Sequence, residues 1–337
     1  YFFAFLLTCL LVVYLWAYFV TFEEKYMLRN FKRIFHKQLK DEKISYENTA
    51  ILIITYNPDY VLIHTVETLV SQYKKVIIVD NGSATKGLSL LASLQTQFPP
   101  TSLTVIYNKD NLGISRALNQ GFKLAESENF HWVLTFDQDS KPSYDYLTKG
   151  NEVLLAFSEP KNVAMITPTL YEEQLQMVIP FSHKPKNKCS RARLAITSGA
   201  ITRVASFFEV NGYNEKLFID YVDFDFCFRL RHSGFTLLES TELILNHQLG
   251  QTKRHDFFFT NFITTHHNEI RRYYITRNRL YMYRKYFFLE TDWVIEDAIN
   301  FLKDFFKIVI AENQKMAKIK NMFLGIKDFA TNKYGKI

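Results

Sequence analysis

Cysteine is scarce. Three residues, Cys9, Cys189 and Cys227, lie far apart in 337, and no Cys-x-x-Cys pair occurs. That excludes a disulfide framework and a zinc ribbon, and it fits a reducing compartment. The glycine-rich phosphate signatures are also missing. No Gly-x-Gly-x-x-Gly follows the first apolar run, and no Gly-x-x-x-x-Gly-Lys-[Ser/Thr] occurs anywhere. A dinucleotide fold and a P-loop enzyme are therefore both disfavoured. The net charge is +7, yet neither zinc-finger spacing nor an RNA-binding signature accompanies it. The basic balance points to phosphorylated substrates or anionic lipid, with no nucleic acid partner. Residues 1–22 lack charge altogether, and they show neither the basic start nor the small-residue cleavage site of a secretory signal.

What is present begins with that uncharged run. As a helix it reaches about 33 Å, enough for a hydrocarbon core of roughly 30 Å, so a membrane helix is expected over 1–22. A basic juxtamembrane helix is expected over 23–48. Lys25, Arg29, Lys32, Arg33, Lys37, Lys40 and Lys43 place that flank on the cytoplasmic side by the positive-inside rule. At the other end, Ile295, Ile299, Phe301, Leu302, Phe305, Phe306 and Val309 recur at spacings near three and four, with lysines interspersed. Two readings stay open for this helical extension, 256–337: a helix packed on the main domain, or an amphipathic element on a membrane surface. Aromatics at 16% suit a large core as well as an interface.

Between these ends, 49–255 alternates. Short apolar runs at Ala50–Thr55, Val76–Val79, Leu103–Tyr107 and Trp132–Phe136 are separated by helix-like stretches and by polar or proline punctuation. Continuous apolar strands alternating with helices predict an α/β fold with a mostly parallel sheet covered on both faces. Ligands then bind beyond the carboxyl ends of the strands. Three runs end in polar clusters: Tyr56-Asn57, Asp80-Asn81 and Asp137-Gln138-Asp139. All three are expected along one rim.

Asp137 and Asp139 are two apart at a strand end, so their carboxylates point the same way and suit Mg²⁺ or Mn²⁺ on a diphosphate. Asp220, Asp223 and Asp225 sit among aromatic and apolar residues. Desolvation there raises a carboxylate pKa and favours a proton acceptor, although one of these aspartates can equally cap the helix that starts near Val222. His247 follows an apolar strand-like run; a lone histidine in such a place is more often structural than a ligand.

The ordered motifs Thr55–Pro58 (TYNP), Val79–Ser83 (VDNGS), Asn108–Gly121 (NKDNLGISRALNQG), Phe136–Ser140 (FDQDS), Thr197–Thr202 (TSGAIT), Phe218–Phe235 and Asn246–Gly250 (NHQLG) resemble those of glycosyltransferase family 2. Arg271–Tyr281 and Gly325–Lys336 are most similar to the bacterial rhamnosyltransferases of O-antigen and capsular polysaccharide synthesis. The resemblance runs from Thr49 to Lys336 and implies a GT-A fold, a Rossmann-like mixed sheet. It implies that Thr55, Tyr56, Asn57, Asp80, Asn81, Asn111, Gly113, Arg116 and Asp137 line the nucleotide pocket. Asp137, Asp139 and His247 would hold the metal, and Asp223 would be the catalytic base. The implied reaction is metal-dependent and inverting: L-rhamnose moves from dTDP-L-rhamnose to a polyprenyl-diphosphate-linked glycan at the cytoplasmic face of the bacterial inner membrane. A galactofuranose or hexose donor, and a catalytically dead membrane scaffold, are the alternatives.

Overall fold

The structure, a computed structural model, describes residues 43–140, 142–172, 177–179, 188–247, 253–257, 260–264 and 266–337. The expected membrane helix at 1–22 and the basic segment through 42 lie outside the described residues. Among the described residues, no helix is long and apolar enough to cross a membrane. Residues 43–48, expected to finish a basic helix, form a turn instead. There the Ser45 N–H donates to Asn48 Oδ1 at 3.0 Å and the Asn48 N–H to Ser45 Oγ at 3.3 Å. Such local side-chain bonds compete with helical ones. The chain divides into two compact units: Gln38–Leu249 with Tyr334–Ile337, and a second that includes Gly250–Lys333.

The first unit follows the alternation in the sequence. Its first half comprises β1 (Thr49–Thr55), α1 (Val61–Gln72), β2 (Lys75–Asp80), α2 (Thr85–Gln97), β3 (Leu103–Tyr107), α3 (Ile114–Ser127), β4 (Trp132–Asp137) and α4 (Tyr146–Ala156). Then come β5 (Val163–Glu172), β6 (Met177–Ile179), β7 (Cys189–Arg191), β8 (Ile201–Arg203), α5 (Val204–Glu209), α6 (Val222–His232) and β9 (Thr236–His247). The sheet order is β3-β2-β1-β4-β8-β5-β9-β7, with β6 on β5. β1 to β4 are mutually parallel; β8 runs antiparallel between β4 and β5. The sheet is therefore mixed, as the family resemblance implies.

Both faces are covered, which is why the strands read as unbroken apolar runs. Ile51, Ile53, Val76, Ile78 and Leu134 pack against Leu62, Val66 and Leu69 of α1 and Leu90, Leu91 and Leu94 of α2. On the other face α3 lies so close that a Cβ on Gly121 would come within 2.2 Å of Leu52. An aromatic cluster extends this side: Phe122 stacks on Phe207 at 3.9 Å, and Tyr213 meets Phe226 at 4.4 Å. The cluster joins α3, α5 and α6, so the helix that carries Asp223 is fixed by the core.

The second unit contains a strand pair, β10 (Lys253–Phe257) with β11 (Thr260–Thr264), and three helices: α7 (Glu269–Tyr286), α8 (Thr291–Ala311) and α9 (Lys315–Ala330). The extension expected to be helical over 256–337 opens on the end of β10 and on β11, and the stretch that carries Ile295 to Val309 ends before α9. It breaks at Glu312–Gln314, where Gln314 adopts φ +55° and Glu312 turns its carboxylate onto Arg272 and Lys318, each at 2.7 Å. A buried three-group ion cluster thus ends α8 where no proline or glycine announces it.

Candidate active site

The register of the parallel strands brings their polar ends level. Thr55 pairs with Asp80 and Ile54 with Asp137, so the ends of β1, β2 and β4 form one rim. Ser198, just before β8, completes it: its hydroxyl accepts the Asp137 N–H at 3.1 Å and lies 2.9 Å from Ser140 Oγ. Asp137 is half-buried and Asp139 exposed. Between them Gln138 Oε1 accepts the Tyr56 N–H at 3.0 Å, tying the β4 turn to the β1 loop. Ser198 and Gln138 stand in the motifs Thr197–Thr202 and Phe136–Ser140, on which the family resemblance rests, but neither was expected to line the site. The signal was present in the first case, since Ser198 precedes Gly199, whose φ of +75° marks a tight turn.

Much of the expected nucleotide pocket is braced from within. Asp80 is fully buried and accepts from Thr55 Oγ1 at 3.1 Å, from the Ser83 N–H at 3.0 Å and from the Ser83 hydroxyl. Asn57 Oδ1 accepts the Ala84 N–H at 2.8 Å, and this loop exposes two rings, Tyr56 with half its surface open and Tyr60 with more. Asn81 is buried; it donates to Asn111 Oδ1 at 3.0 Å and accepts the Leu112 N–H at 2.9 Å. Asn111 Oδ1 also takes the Gly113 N–H at 2.9 Å. Asp80, Asn81 and Asn111 shape the rim rather than project from it, while Asn57 stays exposed.

The stretch Asn111 to Asn119 has a second task. The Ile114 N–H donates to the Phe218 carbonyl at 2.8 Å, and Ser115 Oγ to the Leu217 carbonyl at 2.7 Å. Asn119 clasps Tyr213 in both directions, at 2.9 and 2.8 Å. Gly113, at φ +87°, leaves no room for a side chain: a Cβ would sit 2.6 Å from the Phe218 carbonyl oxygen. The motif therefore clamps the loop that leads into α6. Arg116 alone stays at the surface, 4.0 Å from Glu215. Gly113→Ala is expected to cost about 1–3 kcal/mol through the positive φ and the clash. It should also slow turnover more than it weakens donor binding, because the displaced loop carries Asp220 and Asp223. Thermal unfolding alongside kcat and KM measures both; a variant with unchanged stability and kcat would refute the clamp.

That loop is strained at its end. Asp220 and Tyr221, neither of them glycine, both adopt left-handed φ near +64°, a conformation that costs a bulky side chain energy and clusters at functional sites. It sets two aspartates into the first turn of α6, and they divide the work. Asp225 is fully buried and pairs with Arg229 at 2.8 Å, while Arg229 also donates to the Val210 carbonyl. Asp225→Ala should destabilise the protein by about 3 kcal/mol by stranding that guanidinium; a melting temperature equal to the parent's would contradict the assignment. The N-cap residue, Tyr221, makes no side-chain bond to the helix, whereas Asp223 Oδ1 takes the Phe224 N–H of the first turn at 3.0 Å.

Asp223 is different. It is half-buried, and its only hydrogen bond described is from the Phe224 N–H at 3.0 Å. Desolvation drives its pKa up from 3.8 to about 7, and the negative charges of Asp220 and Asp137 add to the rise. Carboxylates far apart in the chain thus feel one another at the rim. That crowded negative field, together with the hard oxygens of Asp137 and Asp139, suits a divalent cation shared with diphosphate oxygens. Among the described residues, no three His, Cys, Asp or Glu side chains gather at ion-binding spacing. His247 ends β9, which runs parallel to β5 and reaches the same side of the sheet three strands from β4; its side chain lies outside the description. Asp137 is near enough for its charge to be felt at Asp223. Cys189 and Cys227 are free thiols.

Residues 50–207 match the family model described as "Glycosyl transferase family 2". A dTDP-rhamnosyl transferase, RfbF of Shigella flexneri, is 24% identical over 254 residues, 71% of this chain and 80% of that protein. The mannosyltransferase PcManGT of Pyrobaculum calidifontis, solved with GDP-Man and Mn²⁺, superposes with a TM-score of 0.50 at 12% identity, covering 97% of this chain and 94% of its own. The crystal structure of S. aureus TarS gives a TM-score of 0.54 at 14% identity over 84% of this chain, which spans about half of TarS (49%). At these identities the solved structures establish likeness of fold.

Proposed function

We propose that this rim transfers a sugar from a nucleotide donor with inversion, and that the donor is dTDP-L-rhamnose; the match of residues 50–207 to the family model supports the transfer. The observation that carries the chemistry is Asp223, in the first turn of α6, whose desolvation raises its pKa to about 7 and which feels the charge of Asp137 at the end of β4. The relative named a dTDP-rhamnosyl transferase supports the donor. Tyr56 offers an exposed ring to a base at the end of β1, and Asn57, Asp80, Asn81, Asn111 and Gly113 hold the walls of the pocket. Arg116 supplies a surface cation on the same side as the α3 N-terminus.

Asp137, Asp139 and His247 are the residues that would hold Mg²⁺ or Mn²⁺. When bound, such an ion neutralises the charge that grows on the departing diphosphate. Asp223 accepts the proton of an acceptor hydroxyl as that oxygen forms its bond to the anomeric carbon. The bond to the diphosphate oxygen breaks on the opposite face, so one displacement inverts the centre. The acceptor is a polyprenyl-diphosphate-linked glycan at the cytoplasmic face of a bacterial inner membrane, a reading supported by the uncharged run and basic flank of 1–43.

The experiment is a donor panel on the purified full chain: dTDP-L-rhamnose, UDP-galactofuranose and UDP-hexoses, each with Mg²⁺, Mn²⁺ or chelator, reading nucleoside diphosphate release and transfer. Turnover of dTDP-L-rhamnose at least about tenfold above the others is expected, as for sites that read a substrate's hydroxyl pattern. Preference for a UDP sugar would overturn the donor, and no release from any donor would overturn the enzyme.

A further inference from the structure

Three consecutive carbonyls of one loop, those of Lys216, Leu217 and Phe218, each accept a donor from a distant part of the chain. The loop is 213–221, which ends on Asp220 and Tyr221 and delivers Asp223 to the first turn of α6. Two of the donors, the Ile114 N–H and the Ser115 hydroxyl, belong to α3. The third is the Gly335 N–H, 3.1 Å from the Lys216 carbonyl oxygen. Beside it the Lys216 ammonium lies 5.9 Å from the centre of the Tyr334 ring, within reach of cation–π attraction. Tyr334–Ile337 group with the first unit, so this contact lies within that unit. Tyr334 and Gly335 are half-buried, whereas Asn332, Lys333, Lys336 and Ile337 around them are exposed. Gly335 sits at φ +81°, and a Cβ there would meet nothing within 4 Å. Space does not call for a glycine at this position; the left-handed backbone does.

We infer that Tyr334 and Gly335 are positioning residues, a strap across this loop that keeps Asp223 in place for proton transfer. The reason is the strain just beyond the last held carbonyl. Asp220 and Tyr221 adopt φ of +64° and +63°, and such backbone persists only where its surroundings over-determine it. On the far side α6 is fixed by the core, where Phe226 meets Tyr213 at 4.4 Å. On the near side the fixed points are the three carbonyls, and one of them depends on Gly335. The loop's own bonds, from the Lys216 N–H to Asn214 Oδ1 at 3.2 Å and from the Leu217 N–H to the Asn214 carbonyl at 3.0 Å, shape its turn but do not anchor it. The strap adds little to the core, so its loss should be felt at the loop and not in the fold. The inference rests on the reading of Asp223 as the base, but hydrogen exchange tests the strap without turnover.

The test compares Gly335→Val, Gly335→Asn and Lys336→Ala in the full chain. A β-branched residue resists a positive φ, asparagine tolerates it, and both keep the N–H. Hydrogen exchange read by mass spectrometry follows peptides over 213–221, and kcat and nucleoside diphosphate affinity are measured beside it with the best donor of the panel. Gly335→Val should speed exchange over 213–221 by about tenfold, while β1 to β4 exchange as in the parent. Its melting temperature should stay within about 2 °C of the parent's. Its kcat should fall by about tenfold or more, because a displacement of roughly 1 Å costs up to about 10² in rate, while the nucleotide binds as before. Gly335→Asn should bring exchange and kcat back to within about threefold of the parent, and Lys336→Ala should change neither. Unchanged exchange in the valine variant would overturn the inference. So would faster exchange with kcat intact, or an asparagine variant as impaired as the valine one. A parent that transfers from no donor would sink the proposed function instead, and the exchange readings would still decide whether Gly335 holds the loop.

Discussion

Asp223→Asn is expected to lower kcat by a factor of about 10²–10⁴, the usual contribution of a general base. Donor affinity should be nearly unchanged. Asparagine keeps the shape of the side chain and an oxygen for the Phe224 N–H, and removes only the capacity to take a proton. Calorimetry with dTDP and single-turnover transfer separate the two effects; turnover within about threefold of the parent would remove Asp223 from the mechanism. The parent should show a second signature. A base at Asp223 would work only when ionised, and the pKa of this carboxyl is raised to about 7, so activity should rise with pH through that value and fall away below it.

The same shift has a stability sign. Between the ordinary value of 3.8 and about 7 the folded state holds a proton that the unfolded chain has released, so stability falls as pH rises through that window. Chelated Asp223→Asn protein should therefore melt above the parent at pH 8, with the gap closing by pH 4. A gap that widened toward acid would contradict the raised pKa.

The sheet and its rim were legible because the strands are buried on both faces and end in polar punctuation. Ala50–Thr55, Val76–Val79, Leu103–Tyr107 and Trp132–Phe136 each grew by no more than two residues. The division of labour among site residues was not legible. Asn81, Asn111 and Asp80 read as ligand groups from their position, yet each is held by partners 2 to 31 residues away in the chain, a matter of loop packing. The separation of Asp223 from Asp225 depends on Arg229, one helical turn on, which removes Asp225 from solvent. In α8 periodicity found the stripe of Ile295, Ile299, Phe306 and Val309 but could not say that it faces outward. That depends on Arg279, which lies in another helix and takes Asp297 inward.

Asp139→Ala should lower kcat/KM for the donor by a factor of about 10² or more while leaving the fold intact, because a metal's hold on a leaving diphosphate is worth several kcal/mol. Asp139 is exposed at the end of the β4 turn, so its removal should cost no more than about 0.5 kcal/mol of stability. Chelation of the parent should abolish turnover, and added Mg²⁺ or Mn²⁺ should restore it. Asp137 offers the sharper contrast. Its charge is one of the causes that raise the Asp223 pKa, so Asp137→Asn should move the pH profile toward acid as well as weaken metal-dependent binding. Asp139→Ala should leave the profile's position alone. His247→Ala then decides the third ligand. If the imidazole reaches the ion, Mn²⁺ affinity read by electron paramagnetic resonance should fall by about tenfold or more, without the acid shift that marks Asp137. A chelated parent that transfers at full rate would mean that the rim works by its carboxylates and backbone alone, and that Asp137 and Asp139 serve the donor by some route other than a shared cation.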